Sequence, residues 1–180
     1  MKKLIYIVPL VLLFCFTIAC QDKAAMAELE KYKAQAKVEE QNKEVVRNFF
    51  AALDKNNFVV LKELLSDDFA LQAPGLAELW GLDEIIQAVK VHYASFPDWK
   101  HGIEDMVAEG EKVAVRLVQN GTHTAPYEGI LPTNKKVIMP TQCLFAVVAG
   151  KVKEFWVVEN YLDFYQQLGM ELKPKEAKKN

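Results

Sequence analysis

This chain has too few cysteines to build a disulfide framework. Of its three, Cys15 and Cys20 lie in an N-terminal apolar segment, so Cys143 has no intramolecular partner in the folded part. Histidines are equally scarce. His92, His101 and His123 are the full set of three, and none stands at metal-ligand spacing from another histidine, a cysteine or a carboxylate, so no metal site is expected. There is no excess of positive charge. Twenty-two Lys and Arg face 24 Asp and Glu, a net charge of -2, where a nucleic-acid binder shows a basic stripe, so no nucleic-acid partner is expected. The apolar run from Leu4 to Ile18 falls short of the ~20 residues that a membrane span needs.

That run does carry a message. Lys2 and Lys3 precede it and Thr17-Ile18-Ala19-Cys20 closes it. The pattern resembles a bacterial lipobox, which makes residues 1–20 a lipoprotein-type signal peptide and Cys20 the lipidated residue. Acyl chains on Cys20 would hold the protein at the cell envelope, on the outer membrane or the outer face of the plasma membrane. An ordinary cleaved signal peptide and an uncleaved anchor are the alternatives. Residues 21–41 are rich in Lys, Glu and Ala and read as a charged, partly helical tether. A coiled-coil dimer is the other reading, but Met26, Leu29 and Tyr32 make a short seam. Residues 171–180 form a charged tail.

The compact unit is expected over residues 42–170. Val45, Val46, Phe49, Phe50 and Leu53 fall on one helical face, ended by Asp54-Lys55-Asn56-Asn57. Phe58, Leu61, Leu64 and Leu65 give a second short helix, ended by Ser66-Asp67-Asp68. Phe69 to Gln72 is a short strand. A third helix opens at Gly81-Leu82-Asp83, buries Ile85, Ile86, Val89 and Tyr93, and stops before Phe96-Pro97-Asp98. Four strands follow: Ile103 to Glu109, Lys112 to Thr124, Lys135 to Val148 and Val152 to Glu159. A last helical turn carries Leu162, Tyr165 and Leu168 and ends at Gly169. Helices first and antiparallel strands second predict an α+β fold. A curved sheet wrapped round helices encloses an apolar interior suited to a small ligand.

Phe96-Pro97-Asp98, Gly121-Thr122-His123-Thr124, Gly129-Ile130-Leu131-Pro132-Thr133 and the ending Glu154-Phe155-Trp156 through Gln166-Gln167-Leu168-Gly169 together resemble the SnoaL-like polyketide cyclase, or ester cyclase, family of the nuclear transport factor 2-like superfamily. The resemblance covers nearly all of residues 42–170. It implies a cone-shaped α+β barrel with a deep apolar pocket, a homodimer formed through the sheet, and no metal or organic cofactor. It also implies an intramolecular aldol step with a pocket aspartate as general acid/base. That aspartate corresponds to Asn160. A carboxamide cannot titrate near neutral pH, so Asn160 can orient a ligand but is a poor proton shuttle.

The remaining candidates surround that position. Glu159 is adjacent but points to the opposite strand face unless a bulge re-aims it. Asp163 lies three residues on, and a solvated carboxylate is the plain reading of both. His123 is either a pocket base and hydrogen-bond partner or a strand-end histidine. Arg116 is either ligand-binding or held by a carboxylate for structure. Trp156 shares a strand face with Asn160 by parity, and Tyr93, Trp99, Tyr127 and Trp80 are further pocket aromatics. His92 and His101 read as surface residues, and Cys143 as a small core residue. The segment from Thr124 to Lys136 is a candidate lid. Three functions follow. The first is a membrane-anchored domain that binds a small apolar or amphipathic molecule, with catalysis in doubt at Asn160. The second is an active cyclase, isomerase or hydrolase using His123 with Glu159 or Asp163. The third is an envelope protein-docking module.

Overall fold

The computed structural model describes residues 2–75, 81–171 and 173, with side chains from residue 23 onward. Cys20, Trp80 and most of the 171–180 tail, named above, lie outside the residues so described. The chain divides into two compact units, Met1–Val38 and Glu39–Asn180. The first unit is helical backbone, part of α1 (Lys2–Asp54). Its side chains from Lys23 to Val38 are exposed, and the Glu30–Lys33 pair at 2.9 Å is a solvated surface contact. Among the described residues no helix is long and apolar enough to cross a membrane.

The second unit holds the end of α1 followed by α2 (Phe58–Leu64), β1 (Leu65–Gln72), α3 (Leu82–Ser95), β2 (Lys100–Glu109), β3 (Lys112–Thr122), β4 (Lys136–Val148), β5 (Lys151–Glu159) and α4 (Tyr161–Leu168). The five strands form one sheet in the order β1-β5-β4-β3-β2. β1 runs parallel to β5 and every other pair is antiparallel. The expected α+β class holds. Strand ends shift by a few residues: β2 begins at Lys100 rather than Ile103, β3 ends at Thr122 rather than Thr124, and β1 begins at Leu65 rather than Phe69. Leu65 begins a strand rather than ending a helix, because it pairs with Val152 of β5, and pairing overrides the helix propensity of leucine.

Alternation explains the interior. Val113, Val115, Leu117 and Gln119 of β3 are buried at every second position, as are Val137, Met139, Thr141, Cys143 and Phe145 of β4. Val46, Phe49, Phe50 and Leu53 of α1 pack against this face with Leu61 of α2 and Ile85 and Ile86 of α3. Phe49 meets Phe145 and Phe155 edge-on at 5.4 Å, and Phe145 stacks on Phe155 at 4.5 Å. Each such side chain contributes roughly 1.5–3 kcal/mol by leaving water. These aromatics fill the end of the cone that the sequence reading left open as part of a deep pocket. The same end is pinned to α1: Asn42 Nδ2 donates to the Gly110 carbonyl (2.8 Å), and the Gly110 N–H donates to Glu39 (3.0 Å).

β5 departs from simple alternation. Val147 pairs with Val152, but Ala146 pairs with Glu154, so Lys153 is an extra residue in the ladder. This bulge switches the inward face. Val152 faces inside, and beyond it Phe155 and Val157 do, not Glu154 and Trp156.

Candidate functional site

The start of β2, the end of β3, the start of β4 and the end of β5 meet at one end of the cone, beside the last turn of α3, the 123–135 loop and α4. A second apolar cluster sits here, built on Tyr93, Phe96, Trp99, Val137, Met139, Phe164 and Leu168. Local chemistry fixes its geometry. Asp98 accepts from the Thr122 N–H (2.6 Å) and its hydroxyl (2.8 Å), tying the entry of β2 to the end of β3. That bond to the backbone holds the Asp98 carboxyl below the usual carboxylate range. Trp99 then packs close against Gly121, where a Cβ would stand 2.5 Å from Trp99 Cε3. The Phe96-Pro97-Asp98 and Gly121-Thr122 motifs are therefore two halves of one joint.

Trp99, fully buried, starts a polar chain across the sheet. Its Nε1 donates to Gln119 Oε1 at 2.9 Å. Gln119 Nε2 donates to Thr141 Oγ1 at 2.8 Å and to the Glu159 carboxylate. Glu159 pairs across the ladder with Thr141, whose side chain faces inward. Glu159 does lie on the face opposite Trp156 and Asn160, as strand parity expects, but that face is the interior one, because Asn160 itself stands outside. Tyr127 and Tyr161 gather round it. Burial raises the phenol pKa of Tyr161, and Glu159 raises it further by charge and by hydrogen bonding. Burial also raises that of Tyr127, with Glu128, Tyr165 and Glu159 adding to it. Burial, then Glu159, likewise lifts the Cys143 thiol, an inert core group.

Strand alternation removes two expected pocket residues, Trp156 on β5 and Arg116 on β3. Trp156 lies on the outer face, its Nε1 bonded to Gln72 (3.1 Å) and its ring 4.4 Å from Lys112 Nζ. Arg116 is also outside, exposed and paired with Glu104. Asn160 is exposed and caps α4, accepting from the Asp163 N–H at 3.2 Å. Asp163 serves α4 as well. Its Oδ2 accepts from Gln167 Nε2 (2.7 Å), and the Gln167 amide meets both backbone groups of Ile138 at 2.8 Å, as a neighbouring strand would. The buried anchors of α4 are Phe164 and Leu168; Leu162 is exposed and Tyr165 only half-buried.

Among the expected residues, the structure brings Glu159, Tyr127, Trp99, Tyr93 and His123 to this end. His123 is fully buried and stacks on Phe96 at 5.0 Å. Its Nδ1 accepts from the Thr133 N–H (3.3 Å), which leaves the ring proton on Nε2. His92 and His101, read as surface residues, belong here too. His101 Nδ1 stands 2.7 Å from Asp54 Oδ1, and Tyr93 OH reaches the same carboxylate at 3.5 Å. His92 stacks on Phe96 at 4.8 Å with Trp99 and Tyr127 edge-on at 4.4 and 5.6 Å. Burial, then the charge of His101, lowers its pKa to about 4. Among the described residues, neither His92 Nε2 nor His123 Nε2 has a hydrogen-bond partner. The only sequence signal for His92 was its place one turn before Phe96.

Two open grooves mark the outer sheet face. One of about 480 Å³ is lined by Glu104, Arg116, Gln142, Val158, Glu159 and Asn160, so the half-buried Glu159 also borders this groove, and one of about 570 Å³ by Val107, Lys112, Ala114 and Leu144. Among the described residues no group of three or more His, Cys, Asp or Glu is placed to hold a metal ion.

Known proteins share this fold. IdmH, a proposed polyketide cyclase from Streptomyces antibioticus, is 25% identical with a TM-score of 0.67, over 72% of this chain and 99% of that one. A proposed SnoaL-like polyketide cyclase from Jannaschia sp. CCS1 superposes with a TM-score of 0.68 at 23% identity, over 74% of this chain and 95% of that one. An LEH-like epoxide hydrolase from M. tuberculosis shares the fold alone, with a TM-score of 0.59 at 16% identity, over 72% of this chain and 90% of that one. No curated protein matches the chain. Residues 43–168 match the model of the SnoaL-like polyketide cyclases, and the chain belongs to that family.

Proposed function

We propose that this protein binds a small, largely apolar carbonyl compound at the aromatic end of the cone and moves a proton on it, with Glu159 as general acid/base. The observation that carries this reading is the inward carboxylate of Glu159, bonded to Gln119 and flanked by Tyr127 and Tyr161. A carboxylate in such a place can take a proton from carbon beside a carbonyl and return it after the new bond forms. The doubt attached to Asn160 then loses its force, because Asn160 has a different task as a helix cap. Family membership supports a cyclase or isomerase class of reaction, though a shared fold hosts several chemistries. The N-terminal pattern ending at Cys20 supports attachment to the cell envelope through lipid. Exposed Val107, Leu144 and Val158 on the outer sheet face support pairing of two copies there.

The test of the site is exchange of the α-protons of 2-tetralone in deuterated buffer, followed by proton NMR. Glu159→Gln should slow the protein-dependent rate at least about 100-fold, the low end for a lost general base, while Asn160→Ala should leave it within a few fold. Equal rates in wild type and Glu159→Gln would remove Glu159 from the chemistry. For the anchor, labelled palmitate should enter the wild-type chain in bacterial cells and not Cys20→Ser; label in both would refute lipidation at Cys20.

A further inference from the structure

The SnoaL-type motifs leave His92 without a task, yet its ring nitrogen, like that of His123, is buried without a partner among the described residues. The residue is half-buried as a whole, but its Nε2 is sealed from solvent and has no partner among the described residues. A buried, unpaired ring nitrogen is costly, and groups of this kind call for an explanation. Phenylalanine would fill the same space without that cost. The neighbours say what kind of partner fits. Phe96 lies parallel to the imidazole, and Trp99 and Tyr127 present their edges to it. These are apolar walls with no spare polar atom aimed at Nε2. Two short routes lead from this cage to Glu159: through Trp99 and Gln119 by hydrogen bonds, and through Tyr127, whose phenol feels the Glu159 charge. On the far side His101 is held by Asp54.

We propose that His92 is a substrate-binding residue whose Nε2–H donates to the carbonyl oxygen of a small apolar ketone, while Trp99, Phe96 and Tyr127 hold the carbon framework. The inference rests on the reading of Glu159 given above and names the second contact of the same reaction. Glu159 takes the proton from the α-carbon. The C–H electron pair moves into the new carbon–carbon double bond, and the carbonyl pair moves onto oxygen. His92 keeps its proton throughout and stabilises the oxygen charge by hydrogen bonding. The low pKa of His92 suits this, since a neutral imidazole donates without competing for the proton.

A matched pair of probes tests it: 2-tetralone and tetralin, which differ by the carbonyl oxygen. Binding is read by tryptophan fluorescence on the full chain, and the ring nitrogens of 15N-labelled protein by NMR. Wild type should bind 2-tetralone about tenfold more tightly than tetralin, the worth of one hydrogen bond. The His92 Nε2 resonance should shift with 2-tetralone and not with tetralin. His92→Phe should bring the ratio close to one while keeping tetralin affinity, and Glu159→Gln should leave the ratio intact. A tenfold preference that survives in His92→Phe, no preference in wild type, or an unmoved Nε2 resonance would each overturn the proposal. If His92→Phe does not fold, the resonance decides alone. Proton exchange that persists in Glu159→Gln with the binding ratio intact would sink the acid/base reading and leave His92 standing.

Discussion

Replacing Phe164 with alanine should show how α4 is held over the site. α4 has eight residues and buries two, Phe164 and Leu168. Phe164 is 1% exposed, and its ring centre lies 5.7 Å from Phe96, 5.9 Å from Tyr127 and 6.4 Å from Trp99. Removing a ring so enclosed forfeits its transfer energy and leaves a cavity, together about 3–5 kcal/mol. Leu162, on the same helix but 47% exposed, should cost no more than about 0.5 kcal/mol as alanine. Urea unfolding followed by circular dichroism gives both numbers. With a slope of about 1–3 kcal/mol per molar urea, Phe164→Ala should lower the midpoint by at least about 1 M and Leu162→Ala should scarcely move it. The reasoning fails if Phe164→Ala costs less than about 1 kcal/mol, or if the two variants match. Either result would mean that α4 is carried by its cap and its Gln167 contact rather than by packing.

Two further outcomes follow from the same end of the cone. Gly121→Ala drives a methyl group into Trp99 and should cost about 1–3 kcal/mol by overpacking; wild-type stability in the same urea experiment would contradict the close approach. The pH dependence of stability should carry the mark of His92, whose folded pKa of about 4 lies below its ordinary value of 6.5. Between those values the unfolded chain binds the extra proton, so this contribution is complete above pH 6.5 and declines as pH falls toward 4, at up to about 1.4 kcal/mol per unit. His92→Phe should flatten that slope, and identical slopes in the two proteins would refute the assignment.

Much of the fold was legible because periodicity is a local property. The buried face of α3, the alternation of β3 and β4 and the turn at Gly110 all follow from residue order. The site was legible in part. Trp99, Tyr127 and His123 were expected near a ligand and stand together at one end. Glu159 was named but aimed the wrong way, and Trp156 was placed inside. Both errors have one cause: parity from Trp156 to Asn160 holds, but the inward face was set by placing Asn160 in the pocket, whereas Asn160 caps α4 outside it. His92 and His101 were missed for another reason. Nothing in a helix pattern says that a polar residue will be roofed by a loop thirty-odd positions later, nor that Asp54 will reach the start of β2.

The bulge in β5 also bears on how relatives of this protein are compared. A position in an alignment records order along the chain, whereas an active group is defined by direction in space, and one inserted residue separates the two. Between Val152 and Glu154 this strand holds one more residue than its β4 partner. An acidic group one place along the chain can reach the interior where its neighbour does not, as Glu159 does and Asn160 does not. Loss of the acid from its customary column, as at Asn160, is then no record of lost activity until the neighbouring column has been read with its geometry.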